Sequence, residues 1–252
     1  MGAARTGAAV VTARNRFLVA ILAYNEETTI GEIVRAVRRC LPENNLLVVN
    51  DGSYDRTAQI LASLGVPTAT HFCNLGYGRA VQTAIKYALR GGWDALVTLD
   101  ADGQHDPGQI PSMIEAFERD RWDLLIGSRY VRAGDYSGAT PGRRLGMQLF
   151  SLLTRPVIGR RIYDTTSGLK IMSRRVFEPL THWHFVDFHA EAIVYLARLG
   201  FRVGEYPITV TARRHGVSMY SPISSVSYPL KTLLMVFLAT VEAALTGHRE
   251  EA

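Results

Sequence analysis

Over the first two-thirds of the chain, apolar runs alternate with polar clusters in a repeating order. Phe17–Ala23 is an unbroken apolar run of strand length, and Thr29–Arg39 then spaces its apolar residues at helical intervals. The pattern repeats. Leu46–Asn50 reads as a short buried strand, Thr57–Leu64 as a helix, Val66–His71 as a weaker strand and Arg79–Arg90 as a helix. Ala95–Leu99 is a strand, Gln109–Glu118 a helix and Leu124–Ser128 a strand. Such alternation predicts an α/β fold, a parallel sheet with helices on both faces.

A polar cluster follows each strand. Tyr24-Asn25-Glu26 follows the first, Asp51-Gly52-Ser53 the second, Asn74 to Arg79 the third and Asp100-Ala101-Asp102 the fourth. Ligands of open α/β sheets sit beyond the carboxyl ends of the strands, so the four clusters are expected to converge on one edge.

The last third is less regular. Arg143–Thr154 reads as a helix, Gly168–Met172 as a short strand and His189–Leu199 as a helix, while Arg202–Tyr206 and Ile208–Ala212 read as strands separated by Pro207. Residues 1–16 are rich in Ala, Gly and Thr but broken by arginines. They read as a disordered lead-in without the apolar core of a signal peptide. The domain then runs over 17–222. Residues 223–252 carry an apolar helix, Leu230–Leu245, whose core between Lys231 and Glu242 is shorter than the roughly 20 residues that span a bilayer. Either it packs on the core or it lies in a membrane surface.

Composition narrows the partners. The 252 residues carry a net charge of +5, which favours anions: a nucleotide, a phospholipid headgroup or a nucleic acid. No dense Lys/Arg run is interleaved with aromatics, which argues against nucleic acid. Cys40 and Cys73 form no zinc or CxxC pattern and read as buried or half-buried thiols of a reducing compartment. The expected location is the cytoplasm, on the inner face of the membrane if the last helix touches lipid.

The sharpest chemical signal is Asp100-x-Asp102, followed by Gln104 and Asp106. So many hard oxygen donors in one turn suit Mg²⁺ or Mn²⁺ shared with substrate phosphates; an Asx-turn capping the helix after Pro107 would use the same residues. Asp51 can accept from a ring N–H of a base or cap the helix near Thr57. The loop Asn74-Leu75-Gly76-Tyr77-Gly78-Arg79 opens a helix whose N-terminus favours anions. Arg213, in Arg213-Arg214-His215-Gly216-Val217-Ser218, can close over a diphosphate, or the segment is a solvated basic turn.

These stretches carry a resemblance. ILAYNEE (21–27), VVNDGSYDRT (48–57), NLGYGRA (74–80), LDADGQHDP (99–107), GSRY (127–130), DTTSGLKIMSRR (164–175) and R-x-x-G-x-S (213–218) occur in the order found in family 2 glycosyltransferases. The branch resembled is that of polyprenyl- and dolichyl-phosphate sugar synthases, such as dolichyl-phosphate mannose synthase. The resemblance implies a GT-A fold with a mostly parallel sheet, and inversion at the anomeric carbon. It implies a donor, GDP-mannose or a UDP-hexose, contacted by Ala23, Tyr24, Asn25 and Glu26, with its base at Asp51, and Gly78 and Arg79 nearby. The Asp100-Ala101-Asp102 turn would hold the diphosphate, with Asp100, Asp102 and Gln104 on Mg²⁺ or Mn²⁺ and Arg213 on the donor phosphates. Arg129, Arg143 and Arg144 lie where such enzymes receive an anionic acceptor. Two departures stand out: Met219 follows Ser218 where many relatives have lysine, with Lys231 as a candidate substitute, and no membrane helices are appended.

The acceptor decides whether a base is needed. A phosphate monoester, with a second pKa of about 6, is already ionised at neutral pH. A sugar or polysaccharide hydroxyl is not, and requires a general base, for which Asp187 and Glu191 are the candidates, four residues apart. His182, His184 and His189 give no closed zinc set. Catalysis is thus expected to rest on Asp102 and Arg213, joined by Asp187 or Glu191 for a hydroxyl acceptor. Polyprenyl phosphate is the favoured acceptor. The rival classes are a sugar-1-phosphate nucleotidyltransferase, which wants a glycine-rich loop after the first strand where Tyr24-Asn25-Glu26-Glu27 stands, and a non-catalytic nucleotide-binding module.

Overall fold

The computed structural model describes residues 16–41, 45–131, 155–156, 158–181, 188–211 and 234–244. Its strands are β1 (Phe17–Ala23), β2 (Leu46–Asn50), β3 (Thr68–Thr70), β4 (Ala95–Asp100), β5 (Leu124–Ser128), β6 (Lys170–Ser173) and β7 (Val203–Pro207). Its helices are α1 (Ile30–Cys40), α2 (Thr57–Ser63), α3 (Tyr77–Arg90), α4 (Ile110–Asp120), α5 (Phe177–Thr181), α6 (Ala190–Arg198) and α7, over residues 234–244. The sheet order is β3-β2-β1-β4-β6-β5-β7.

Every residue of β1 is buried, because the strand is covered on both faces. Phe17, Val19 and Ile21 pack towards α1, α2 and α4. Leu18, Ala20 and Leu22 pack towards α3, α5 and α6. Helix α1 meets its layer through Ile30, Ile33, Val34 and Val37, the i, i+3, i+4, i+7 spacing of an amphipathic helix. Helix α7 closes the opposite layer with Ala239 and Ala243.

The sheet is parallel except at β6, which runs antiparallel to both β4 and β5. Alternation of Ile171 and Met172 between the two core layers marks β6 as a strand, but a run of four residues does not declare its direction. The strand expected over Ile208–Ala212 does not form within the described residues. Pro207 ends β7, Ile208 N–H donates to Ser128 O, and only Val210 bridges, to His105. Thr211 N–H donates to Gln104 O at 3.0 Å, so this segment is clipped to the turn after β4 instead of extending the sheet. Arg16, assigned to the lead-in, belongs to the domain: its N–H donates to Asp94 Oδ2 at 2.9 Å and its guanidinium lies over Trp93. Cys73 is exposed, not buried, because it sits in the loop beyond β3. Arg143–Thr154 falls outside the described residues.

Candidate active site

The parallel strands β1, β2 and β4 end level. Ala23 pairs with Asn50 and Leu22 with Asp100. Asp51 N–H then donates to Ala23 O and Ala101 N–H to Leu22 O. This register brings the first, second and fourth polar clusters to one edge.

The first two loops are zipped together. Asn25, in the left-handed region at φ 55°, donates its N–H to Ser53 Oγ at 2.9 Å and accepts from Tyr54 N–H at 3.0 Å. Glu26 N–H donates to Thr57 Oγ1 at 2.9 Å, and its carboxylate accepts from Thr29 Oγ1 at 2.8 Å. Ala23 is buried at the strand end, while Tyr24 is partly exposed, edge-on to Tyr54.

The third loop is tied to the second through Asp51. Its Oδ1 accepts from Leu75 N–H and its Oδ2 from Gly76 N–H, both at 2.9 Å, immediately before α3. The anion at this helix start is therefore the protein's own carboxylate. Gly76, at φ 90°, supplies the backbone turn that side chains resist. Gly78 is buried in the first turn of α3, and Arg79 donates to Gln82 Oε1 one turn along at 2.7 Å.

Asp100 turns inward. A Cβ added to Gly168 would lie 1.9 Å from Asp100 Oδ2, so only glycine lets the segment before β6 pass. Burial drives the Asp100 carboxyl up to about 7, the neighbouring Asp102 carboxylate adds to this, and Lys170 and Arg129 oppose it. Asp102 Oδ1 accepts from Gln104 N–H at 3.0 Å, and the Gln104 carbonyl is taken by Thr211. Among the described residues, no three His, Cys, Asp or Glu side chains gather as a ligand set. The buried Asp100 carboxyl, raised by burial and by the charge of Asp102, suits a hard cation that takes its remaining oxygens from substrate and water.

Sequence reasoning missed several residues around these carboxylates. Lys170 is buried in β6, donates to Ser167 O, and has its ammonium pushed down to about 8 by burial against the pull of Asp100 and Asp164. His71 contacts Asp51 at 2.6 Å. Arg129, expected to face the acceptor, is buried and instead binds Asp164 and Thr166. The signal for this pairing was present in the motif that holds Asp164, but separation by 35 residues hides it. Glu191 is buried at the start of α6, where Oε1 accepts from His189 N–H at 3.1 Å, the geometry of a helix cap. Asp187, Arg213, Arg143, Arg144, His182, His184 and Lys231 lie outside the described residues.

Comparison with known proteins shows the family. The family profile described as Glycosyl transferase family 2 matches residues 18–181. The chain is 34% identical over 228 residues to a polyprenol monophosphomannose synthase of Mycolicibacterium smegmatis, covering 84% of each chain. It is 31% identical over 215 residues to an undecaprenyl-phosphate mannosyltransferase of Micrococcus luteus, covering 82% of this chain and 88% of the relative. Glucosyl-3-phosphoglycerate synthase from Mycobacterium tuberculosis, solved with Mn²⁺, UDP-glucose and phosphoglyceric acid, superposes with a TM-score of 0.64 at 17% identity, over 90% of this chain and 80% of that one. The same enzyme has also been solved with Mg²⁺ and UDP. With its strand-end carboxylates and mostly parallel GT-A sheet, the chain belongs to glycosyl transferase family 2 and is a glycosyltransferase.

Proposed function

We propose that this enzyme moves one sugar, with inversion, from GDP-mannose or a UDP-hexose to the phosphate of a polyprenyl phosphate, using Mg²⁺ or Mn²⁺. The observation that carries the reading is the Asp100–Asp102 pair at the end of β4. Burial of the Asp100 carboxyl, with the charge of Asp102 beside it, favours neutralisation by a cation, next to the loops that Asp51 draws together. Asp102 and Asp100, with Gln104 in the same turn, would hold the metal. When bound, it would neutralise charge on the departing nucleotide diphosphate.

The chain's own residues do the rest. Asp51 accepts from the base, and Ala23, Tyr24, Asn25 and Glu26 line the donor's entry, with Gly78 and Arg79 at the start of α3. Ala101 backs the diphosphate from the buried side of its turn. Arg213 supplies positive charge to the leaving group. The acceptor phosphate attacks the anomeric carbon in line as an ionised oxygen, so no side chain has to remove a proton. That agrees with Glu191 serving as a helix cap instead of a base. A phosphate acceptor also agrees with the names of the 34% and 31% identical relatives.

A polyprenyl acceptor lives in a bilayer, and the exposed side of α7 supports contact with one. It buries Ala239 and Ala243 and exposes Leu234, Phe237, Leu238 and Val241 on the opposite side. No helix of the described residues is long and apolar enough to cross a membrane. The helix would lie in the interface, with the catalytic edge in the cytoplasm.

Mass spectrometry of products from a panel of sugar nucleotides, incubated with Mn²⁺ and either undecaprenyl phosphate or free oligosaccharides, tests the proposal. The expected product is polyprenyl phosphate heavier by one hexose. Glycosylation of the oligosaccharides alone would overturn the acceptor assignment.

A further inference from the structure

Asp51 is fixed on every side but one. Oδ1 lies 2.6 Å from His71 Nδ1 and accepts from Leu75 N–H, while Oδ2 accepts from Gly76 N–H. A carboxylate offers about four acceptor sites, two on each oxygen. Oδ1 is filled, and among the described residues only Gly76 N–H meets Oδ2, which leaves that oxygen one acceptor site.

His71 is itself held at both nitrogens. Nε2 lies 2.8 Å from Thr83 Oγ1 on α3, and the backbone N–H of His71 donates to Asn50 O. With Nδ1–H donating to the carboxylate, Nε2 accepts from the Thr83 hydroxyl, and the ring cannot turn without losing a bond at each end. The side chains of His71 and Asp51 are only 10% and 6% exposed, so water competes weakly for their bond. The backbone closes the same unit: a Cβ on Gly52 would come within 2.2 Å of the Cys73 carbonyl carbon, which packs the turn after Asp51 against the loop after His71.

We propose that His71 is a positioning residue for recognition of the donor base. It locks the Asp51 rotamer that leaves the remaining Oδ2 site for a ring N–H of uracil or guanine, and Thr83 orients the imidazole. This rests on the donor reading given above. A group that only stabilised the edge would affect the phosphate end of the donor as much as the base end; a base-positioning group would not.

Calorimetry of UDP, GDP and pyrophosphate binding in the presence of Mn²⁺ separates the two. His71→Ala is expected to weaken binding of the preferred nucleotide by about tenfold, the scale of one hydrogen bond to a charged group, with pyrophosphate affinity unchanged. His71→Asn, whose amide N–H approaches the position of Nδ1, should recover most of the loss. In steady state the donor KM should rise while kcat holds. Thr83→Val, a milder change, should show the same selectivity at smaller size and serves if His71→Ala does not fold. Unchanged nucleotide affinity, or equal weakening of nucleotide and pyrophosphate, would overturn the role of His71. Wild-type protein that binds pyrophosphate but neither nucleotide would overturn the donor reading itself.

Discussion

Arg129 and Asp164 form a two-pronged ion pair closed off from solvent. Nε lies 2.6 Å from Oδ2 and Nη2 2.6 Å from Oδ1, with the side chains 7% and 0% exposed. Asp164 also accepts the Arg129 backbone N–H, and Glu205 of β7 accepts the N–H groups of Tyr163 and Asp164. The pair thus fastens the end of β5 to the turn that leads into β6, and this turn brings Gly168 against Asp100. Arg129 helps to shape the site from behind.

Removing one partner leaves the other charge buried and unpaired. Arg129→Met or Asp164→Asn should each cost about 3–5 kcal/mol. Thermal unfolding would show this as a drop in Tm of roughly 10 °C. The double variant Arg129→Met/Asp164→Leu should cost clearly less than the sum of its parts, because no orphaned charge remains.

The same pair carries a pH signature. Burial alone would raise the Asp164 carboxyl, but the hydrogen bonds and charge of Arg129 hold it below its ordinary 3.8. A carboxyl with a depressed folded pKa contributes its stability in full above the unfolded value and loses it as pH falls through the folded one. The Tm difference between wild type and Asp164→Asn should therefore be constant near neutrality and shrink as pH drops below 3.8.

Gly168→Ala tests the packing behind Asp100. The added Cβ would start 1.9 Å from Asp100 Oδ2, so the carboxylate or the turn must move. Misplacement on that scale should lower kcat by about 10²-fold. Circular dichroism should report an intact sheet. Activity within a few-fold of wild type would mean that Asp100 does not need its observed position.

The exposed stripe of α7 predicts lipid binding. Phe237→Ser with Leu238→Ser should weaken flotation with anionic phospholipid vesicles by tenfold or more, as each buried side chain is worth about 1.5–3 kcal/mol. Hydrolysis of sugar nucleotide by the freed protein should continue, since the helix carries none of the proposed donor contacts. Equal flotation of variant and wild type would place the membrane contact elsewhere.

Much of this architecture was legible in the chain because alternating strands and helices leave strong periodic marks. β1, β2 and β5 fall on their expected residues. Convergence of Asp51 and Asp100 on one edge follows from parallel strands of matched register. Direction and partnership were harder to read. The four residues of β6 do not show its direction, and Ile208–Thr211 has strand-like residues but only a turn to pair with. The partners of Arg129 and Asp51 were hidden for a related reason: a charged side chain near a motif looks the same in sequence whether it faces a substrate or a buried counter-ion.

Metal-dependent turnover of the donor by wild type and Asp102→Ala tests the account at its centre. Wild-type sugar transfer should stop on chelation and return with Mn²⁺, while Asp102→Ala should fold normally and stay inactive at every metal concentration. Transfer that survives chelation, or an Asp102→Ala enzyme as active as wild type, would contradict the proposed role of the strand-end carboxylates.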